Sequence, residues 1–474
     1  MKMQHLFQRN LRQPLCRLPV DALVKCLSFV PAIDQLSIIR VCRHLRTHVT
    51  NSPSLWTRVD QIHHPTALSF VLECAQDEAV DITNLRVGPN NDQLRVVAAH
   101  MRHIRALDLY TDHSLETDAH TAFSTPAPLL QQLSIRGSGY HSITVDYGSL
   151  IASNYPRLSH FQTNWAGLDG SVCTWLPVVQ SLPTLHTFSF DFADVLEDGI
   201  VDSFAILLPR VARMNIRLRG WGLWARSPFR PTLHRINICW TKPGPFVPSD
   251  TIPDVESWNS IRVIHIAHVS DSPGGPSQAN LTGGNFPIAA QAIPYRRLWV
   301  RASGERVHLR VVHQDERERV FCGLHPTTVS GLAARIPGLE LTALTVATTA
   351  VALDVLAGVP YPALRRIRLV LDSRDNDWIN IFARDMLNVP MLEHLELSID
   401  MNVIADWTTA MILRVIGSCM AAGHSLQRVA FLGFTPDSRC TTQVEAFADD
   451  VVVDRNWHEP ASERVWFTEP AFEW

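Results

Sequence analysis

Residues 18–56, LPVDALVKCLSFVPAIDQLSIIRVCRHLRTHVTNSPSLW, carry apolar residues at the spacing of amphipathic helices. Pro19 suits the first turn of a helix, where its missing N–H has no intrahelical partner to lose, and the apolar stripe that follows predicts a helix over 19–29. Pro31 ends this helix, and Asp34 is a candidate N-cap for a second one. Neither helix is long enough to be stable alone. The sequence therefore predicts a hairpin whose helices pack together or against a partner.

This stretch resembles an F-box from end to end. The residues that carry the resemblance are Leu18-Pro19, Leu23, Leu27, Pro31, Asp34-Gln35-Leu36, Val41-Cys42-Arg43, Leu45-Arg46 and Ser52-Pro53-Ser54-Leu55-Trp56. Mild exchanges stand at Val20, Cys26 and Leu45. The resemblance implies docking onto the Skp-type adaptor of a cullin–RING ubiquitin ligase. The contact residues that it implies are Leu18, Pro19, Leu23, Leu27 and Leu36. Helical periodicity alone also fits an ordinary hairpin that caps the next domain.

The rest of the chain repeats a phrase of the form Pro-x-apolar-x-x-apolar-x-apolar. Its copies are PLLQQLSI at Pro128, PRLSHFQT at Pro156, PTLHTFSF at Pro183, PRVARMNI at Pro209, PTLHRINI at Pro231, PALRRIRL at Pro362 and PMLEHLEL at Pro390. Adjoining copies start 22 to 28 residues apart. The alternation of the last three positions is typical of a strand with one buried face. Each copy therefore predicts a turn and a strand, and helical-looking stretches such as 195–208 and 379–387 occupy the gaps.

The phrase resembles the core of the leucine-rich repeat, and its spacing falls within the period of that repeat. The resemblance implies an α/β chain: a helical F-box followed by an irregular leucine-rich-repeat solenoid with a parallel sheet on the concave side. The Asn or Cys that usually follows the core is replaced at Ser138, Ala193, Arg219 and Asp372. The alternative is an unrelated α/β domain that contains the phrase by chance.

The strand period of two predicts which side chains of the phrase are buried. The pairs expected in the core are Leu133 and Ile135, Phe188 and Phe190, Ile367 and Leu369, and Leu395 and Leu397. The residue between the members of each pair should face outward on the concave surface. The candidate substrate-binding residues are therefore Ser134, Ser189, Arg368 and Glu396.

The predicted domain organisation follows these patterns. It comprises an N-terminal extension (1–14), the F-box (15–60), a helical linker (61–95), the solenoid (96–455) with a loop-rich insertion at about 241–335, and an aromatic tail (456–474). Within the insertion, the charged stretch 313–320 is expected to be solvated. The tail has too many aromatic residues for a solvated segment. It is expected either to cap the last repeat or to fold back over the concave face.

Composition limits the classes of function. A net charge of −4 gives no polycationic signature for nucleic acid. The apolar runs are interrupted by charge before the ~20 residues that a membrane span needs, and the sequence shows no signal-peptide h-region. Nine cysteines without a C-x-x-C pair indicate reduced thiols, as in a cytoplasmic or nuclear protein. The common catalytic motifs are absent, so we expect no enzyme activity, cofactor or metal.

These patterns favour a substrate-recognition subunit of an SCF-type E3 ubiquitin ligase. Its expected partners are the Skp-type adaptor, through it the cullin–RING ligase, and an unknown protein substrate, with no nucleic acid or membrane. The alternative is a leucine-rich-repeat interaction scaffold without ligase function. Co-elution with the adaptor separates the two hypotheses.

Overall fold

The computed structural model describes residues 18–88, 90–111, 122–137, 152–165, 182–192, 211–218, 233–240, 261–268, 295–303, 306–324, 341–349, 352–353, 356, 361–371, 389–399, 407–419 and 425–457. The chain divides into two compact units. The first comprises 1–195 and 203–216, and the second comprises 196–202 and 217–474. The predicted helices at 195–208 and 379–387, the four positions that follow the repeat core, the extension 1–14 and residues 458–474 of the aromatic tail lie outside the described residues.

The described helices are short. They are α1 (Val20–Leu27), α2 (Ala32–Ile38), α3 (Arg43–Thr50), α4 (Pro65–Ala75), α5 (Asp92–His100), α6 (Thr409–Cys419) and α7 (Ser438–Val444), with 3-10 turns at Pro53–Trp56, Met101–His103 and Ala152–Asn154. None of the helices within the described ranges combines the length and the apolar character that crossing a membrane requires.

The N-terminal hairpin, residues 18–56, differs from the sequence prediction in its second half. The single second helix expected there is divided into α2 and α3. Pro31, and not Asp34, is the N-cap of α2, and Asp34 lies in its first turn, where a carboxylate interacts favourably with the helix dipole. Cys42 is the N-cap of α3 because its Sγ accepts a hydrogen bond from the Leu45 N–H at 3.5 Å.

The strands of the first unit pair in parallel and in chain order. They are β1 (Arg58–Asp60), β2 (Val80–Val87), β3 (Ile104–Thr111), β4 (Gln132–Gly137), β5 (His160–Trp165) and β6 (Thr187–Phe192). A further strand, β7 (Arg213–Leu218), begins in this unit and passes its last residue, Ile216. Parallel pairing runs from β1 through to β6. The Ser159 N–H donates to the Gln131 carbonyl at 2.9 Å, and the His186 N–H donates to the Ser159 carbonyl at 2.9 Å. These hydrogen bonds align the starts of successive strands with one another.

The second unit is also mainly parallel, but three of its strands form an antiparallel meander. Its strands are β8 (Arg235–Trp240), β9 (Val263–His268), β10 (Tyr295–Ser303), β11 (Arg306–His313), β12 (Glu318–Leu324), β13 (Ala343–Ala347), β14 (Arg366–Leu371), β15 (His394–Ile399), β16 (Leu426–Leu432) and β17 (Ala448–Asp454). The spatial order is β8-β9-β12-β11-β10-β13-β14-β15-β16-β17. Of the pairings between these described strands, only β12–β11 and β11–β10 are antiparallel.

Wherever the structure describes the repeated phrase, its last positions form a parallel strand with the apolar side chains buried. Equivalent positions lie in register on neighbouring strands, as Leu133 does with Phe161 and Ile367 with Leu395. The predicted core residues Leu133, Ile135, Phe188, Ile367, Leu369, Leu395 and Leu397 are all at most 1% exposed, which confirms their predicted burial. The side chain of Phe190 lies outside the described residues. The earlier apolar position of the phrase is buried too, as at Leu158 and Leu364.

Two segments differ from the expectation. The segment 61–95, expected to be a helical linker, contains α4 but also β2, which pairs with β1 and β3. The insertion at about 241–335, expected to be rich in loops, contains β9 and the meander β10–β12. The polar stretches around these strands indicated loops, and the strands themselves are short runs of alternating apolar and polar residues.

The charged stretch 313–320 is not a solvated segment throughout. Its second half begins β12, in which Arg319 and Val320 are buried. The Arg319 guanidinium donates from Nη1 to the carbonyls of Ile261 at 3.0 Å and Glu318 at 2.9 Å. Burial of this cation is tolerated because backbone oxygens replace the water that it loses.

Candidate adaptor-binding surface and polar strand faces

The N-terminal hairpin is organised around a small core. Trp56 is fully buried, and its indole Nε1 donates to the Val49 carbonyl at 2.9 Å. The buried amide of Gln35 donates from Nε2 to the carbonyls of Leu27 at 3.1 Å and Val30 at 2.8 Å. These bonds satisfy backbone oxygens at the ends of α1 and α3, so that short helices, unstable alone, are held in one arrangement.

The five residues that the resemblance implies as adaptor contacts do not share one environment. Leu23 is 1% exposed and Leu27 is 7% exposed, so both belong to the core of the hairpin. Leu18 and Leu36 are half-buried, and Pro19 is exposed. The assignment of these residues to the adaptor contact stays a prediction, but a substitution at Leu23 or Leu27 would act first on the folding of the hairpin.

Four exposed apolar residues of the hairpin were missed by the sequence reasoning. They are Val20 (43% exposed), Phe29 (83%), Ile33 (47%) and Val41 (69%). Among the described residues seven large hydrophobic side chains are exposed, and these four fall within 22 consecutive positions. Exposed apolar residues concentrated in this way mark surfaces that bind other proteins. Sequence periodicity could not single them out, because Val20, for example, lies three residues before the buried Leu23 and therefore has the spacing of the buried stripe.

A polar face lies opposite the buried side chains on the sheet of the first unit. Asp108, Ser134, Gln162 and Ser189 occupy equivalent positions on four successive strands. Arg136 donates from Nε to Asp108 Oδ1 at 3.0 Å, and the Asn84 N–H donates to Asp108 Oδ2 at 3.1 Å. The candidate substrate residues of this face are less accessible than expected: Ser134 is half-buried, and Ser189 is 6% exposed and accepts from Asn215 Nδ2 at 2.8 Å.

The other two candidate residues, Arg368 and Glu396, face each other on β14 and β15 of the second unit. Arg368 Nε lies 2.7 Å from Glu396 Oε2, and the two side chains are only 12% and 13% exposed. Arg366 pairs with the other oxygen of the same carboxylate. Two guanidinium groups therefore share one carboxylate.

Two buried histidines lie on this polar face of the second unit. His265 is 4% exposed, and burial lowers its pKa to about 3, with Arg235 and His308 contributing. His308 is 8% exposed, and burial, with Arg301 and Arg306 contributing, lowers its pKa to about 4. Both imidazoles are therefore neutral at neutral pH.

The described residues offer little for metal chemistry. Nowhere among them do three or more His, Cys, Asp or Glu side chains lie together as a metal site would require. Cys322 and Cys440 are buried and form no disulfide among the described residues, and burial raises the pKa of Cys440. A buried thiol whose pKa is raised is a poor nucleophile, so the surfaces described above are the stronger candidates for function.

Comparison with known proteins finds a family match within the N-terminal hairpin. No curated protein matches the chain. F-box domains generally bind Skp-type adaptors, and the proteins that carry them are generally non-catalytic adaptors or receptors of SCF-type ligases. Residues 15–57 match the family model of the F-box domain, and the chain therefore carries an F-box domain over these residues.

Proposed function

We propose that this chain is a substrate-recognition subunit of an SCF-type E3 ubiquitin ligase, acting in the cytoplasm or nucleus. The F-box domain docks onto the Skp-type adaptor, and the strand-rich region binds a protein substrate through its polar face. The observation that carries the first part is the concentration of Val20, Phe29, Ile33 and Val41 on the surface of the F-box domain. An adaptor that covers these side chains removes them from water, which favours association.

We also propose that the strand-rich region is an irregular leucine-rich-repeat solenoid spanning 96–455, with β1 and β2 extending its sheet. The parallel pairing in chain order and the buried phrase positions support this assignment. In such a solenoid the polar face is the concave, ligand-binding side. A scaffold without ligase function would share this region but would not bind the adaptor.

The test is capture of the purified adaptor by the full-length chain, with Phe29→Asp and Ile33→Asp as variants. We expect each variant to weaken capture about 10- to 100-fold, because burying one large apolar side chain contributes roughly 1.5–3 kcal/mol and a buried unpaired carboxylate adds a penalty. Binding is measured by calorimetry, and folding is checked by thermal melting, which should not change.

Phe447→Asp is the matched control, since Phe447 is also an exposed aromatic residue, at 39%, but lies in the second unit. It should leave capture unchanged. If the full-length chain does not bind the adaptor, the ligase proposal fails and the scaffold remains. If it binds and neither substitution weakens binding, the exposed apolar residues are not the docking surface.

A further inference from the structure

The strand β17 is the last of the second unit, and among the pairings between described strands it takes part in one, with β16. The Gly433 N–H donates to the Asp454 carbonyl at 2.8 Å, so the backbone groups of Asp454 face β16. Because successive residues of a strand direct their backbone groups to opposite sides, those of Val451 and Val453 point away from β16. They form a row of donors and acceptors with which a further strand can pair.

The apolar side chains of β17 are less covered than their counterparts on β16. Val451 and Val453 lie in register with Val429 and Phe431, which are fully buried. Val451 is only half-buried, and Val453 is 38% exposed. The core face of the sheet therefore continues onto β17, where it is partly open to water. A strand added at this edge would cover Val453, and removing an apolar side chain from water favours association.

A groove of about 820 Å³ lies beside the exposed valine. Its lining includes Ser438, Thr441 and Thr442 of α7 and Val453, Asp454 and Arg455 at the end of β17. Side chains that are paired across neighbouring strands lie on the same face of a sheet. A side chain that an added strand places next to Val453 would therefore enter this groove, whose volume is ample for an aliphatic group.

The other face of β17 is acidic. The strand contains three aspartates and no basic residue. Arg428 Nε lies 3.8 Å from Asp450 Oδ2, but the two side chains are 48% and 60% exposed, so this ion pair is open to water. Asp454 is exposed as well, and its Oδ1 accepts from the Asn456 N–H at 3.1 Å. Since opposite charges on neighbouring strands attract, this face suits basic side chains on an added strand.

We propose that β17 is a protein-binding site that adds an extended segment of a partner protein as the next strand of the sheet. The segment alternates basic and apolar residues, because a strand has a period of two. Its basic residues lie against Asp450 and Asp454, and an apolar residue lies beside Val453 in the groove. Main-chain hydrogen bonds supply the affinity, and the alternating side chains supply the specificity. A second copy of this chain fits less well, since it would bring the aspartates of two β17 strands together.

The probe for this site is a fluorescent peptide, Thr-Lys-Val-Lys-Val-Lys-Thr, which is added to the full-length protein and followed by fluorescence anisotropy. We expect saturable binding with a Kd below about 1 mM. The same peptide with glutamate in place of each lysine is the matched control and should not bind. Equal binding of both peptides, or no saturable binding of the basic one, would overturn the proposal.

Two variants locate the binding on β17. Val453→Pro removes an outward N–H and no hydrogen bond to β16, a substitution that edge strands tolerate. It should weaken binding about 2- to 12-fold, the value of one hydrogen bond. Asp450→Lys replaces an attraction by a repulsion and should weaken binding about 2- to 30-fold. Thermal melting of each variant checks folding, and Asp450→Lys alone decides if the proline variant does not fold.

Asp77→Lys is the control for charge, because Asp77 is an exposed aspartate of the first unit that also pairs with an arginine, at 3.4 Å. It should leave peptide binding unchanged. Unchanged binding in Asp450→Lys as well would show that the peptide does not lie on β17.

Other occupants of the edge give different results, and each would overturn the proposal. Self-association of the full-length protein that Asp450→Lys alters would place a second copy on β17. Peptide binding that appears only after truncation behind Trp457 would assign the edge to the chain itself. Adaptor capture should be the same with and without the peptide, so that this result is independent of the proposed ligase function.

Discussion

Replacing Trp56 by alanine should increase amide exchange of α3 by about 100- to 5,000-fold in the full-length protein. The indole is fully buried, contacts the Phe70 ring edge-on at a centroid distance of 6.1 Å and supplies the hydrogen bond to Val49. Removing a large buried aromatic side chain costs about 3–5 kcal/mol, and α3 is too short to persist without that core. Hydrogen exchange followed by mass spectrometry reports this local opening without requiring the whole chain to unfold in one step.

Phe29→Ala is the matched control for this experiment. It removes an aromatic side chain from the same domain, but one that is 83% exposed, and exchange in α3 should change little. Trp56→Ala should also lose adaptor binding, because the docking surface is displayed by the hairpin that opens. If exchange in α3 is the same in both variants, Trp56 does not hold the domain together.

Buried His265 and His308 should together lower the free energy of unfolding by about 4 kcal/mol between pH 7.5 and pH 5. His265 and His308 have folded-state pKa values of about 3 and about 4, whereas unfolded histidine titrates near 6.5. As the pH falls below 6.5, the unfolded state takes up protons that the folded state does not bind. Each histidine therefore lowers the free energy of unfolding by about 2 kcal/mol at pH 5. The full stability is present only above the pKa of the unfolded histidine.

The measurement is the free energy of unfolding of His265→Asn and His308→Asn, each compared with the unaltered protein at both pH values. Each substitution should remove about half of the decrease in the free energy of unfolding between pH 7.5 and pH 5. This holds even if the substitution lowers stability at pH 7.5. The neighbours of the two rings, Arg235 and Cys322 for His265 and Arg301 and Arg306 for His308, are kept. His64→Asn, at an exposed histidine, should follow the unaltered protein. Parallel pH profiles for all four proteins would refute the assignment.

Local patterns made the strands and the F-box domain predictable from sequence. The alternation around Leu133 or Leu395 fixes which side chains are buried, since a strand has a period of two. The proline of each phrase marks the turn before the strand. The resemblance over residues 18–56 was sufficient because its residues are distributed along the whole domain, and the family match covers nearly the same range.

Features that depend on distant pairing were not predictable. Trp299 and Arg368 lie 69 positions apart in the chain, and they share a row only because β13 pairs with β10 rather than with β12. The accessibility of Ser189 or Glu396 likewise depends on partners from neighbouring strands. Leu23 was assigned to the adaptor contact because an amphipathic stripe cannot distinguish a hairpin's own core from a surface for a partner.

The placement of the meander has a consequence for how the chain is made. The partner edge of β9 is filled by β12 and not by the strand that follows it in the chain. During synthesis β9 is complete at residue 268, but its neighbour β12 begins only at residue 318. Synthesis of the residues between them takes roughly 3 to 10 seconds at ribosomal speed. An unpaired edge is a site for wrong pairing with other chains. The nascent protein therefore passes through a window of aggregation risk, and chaperones would be most useful to it there.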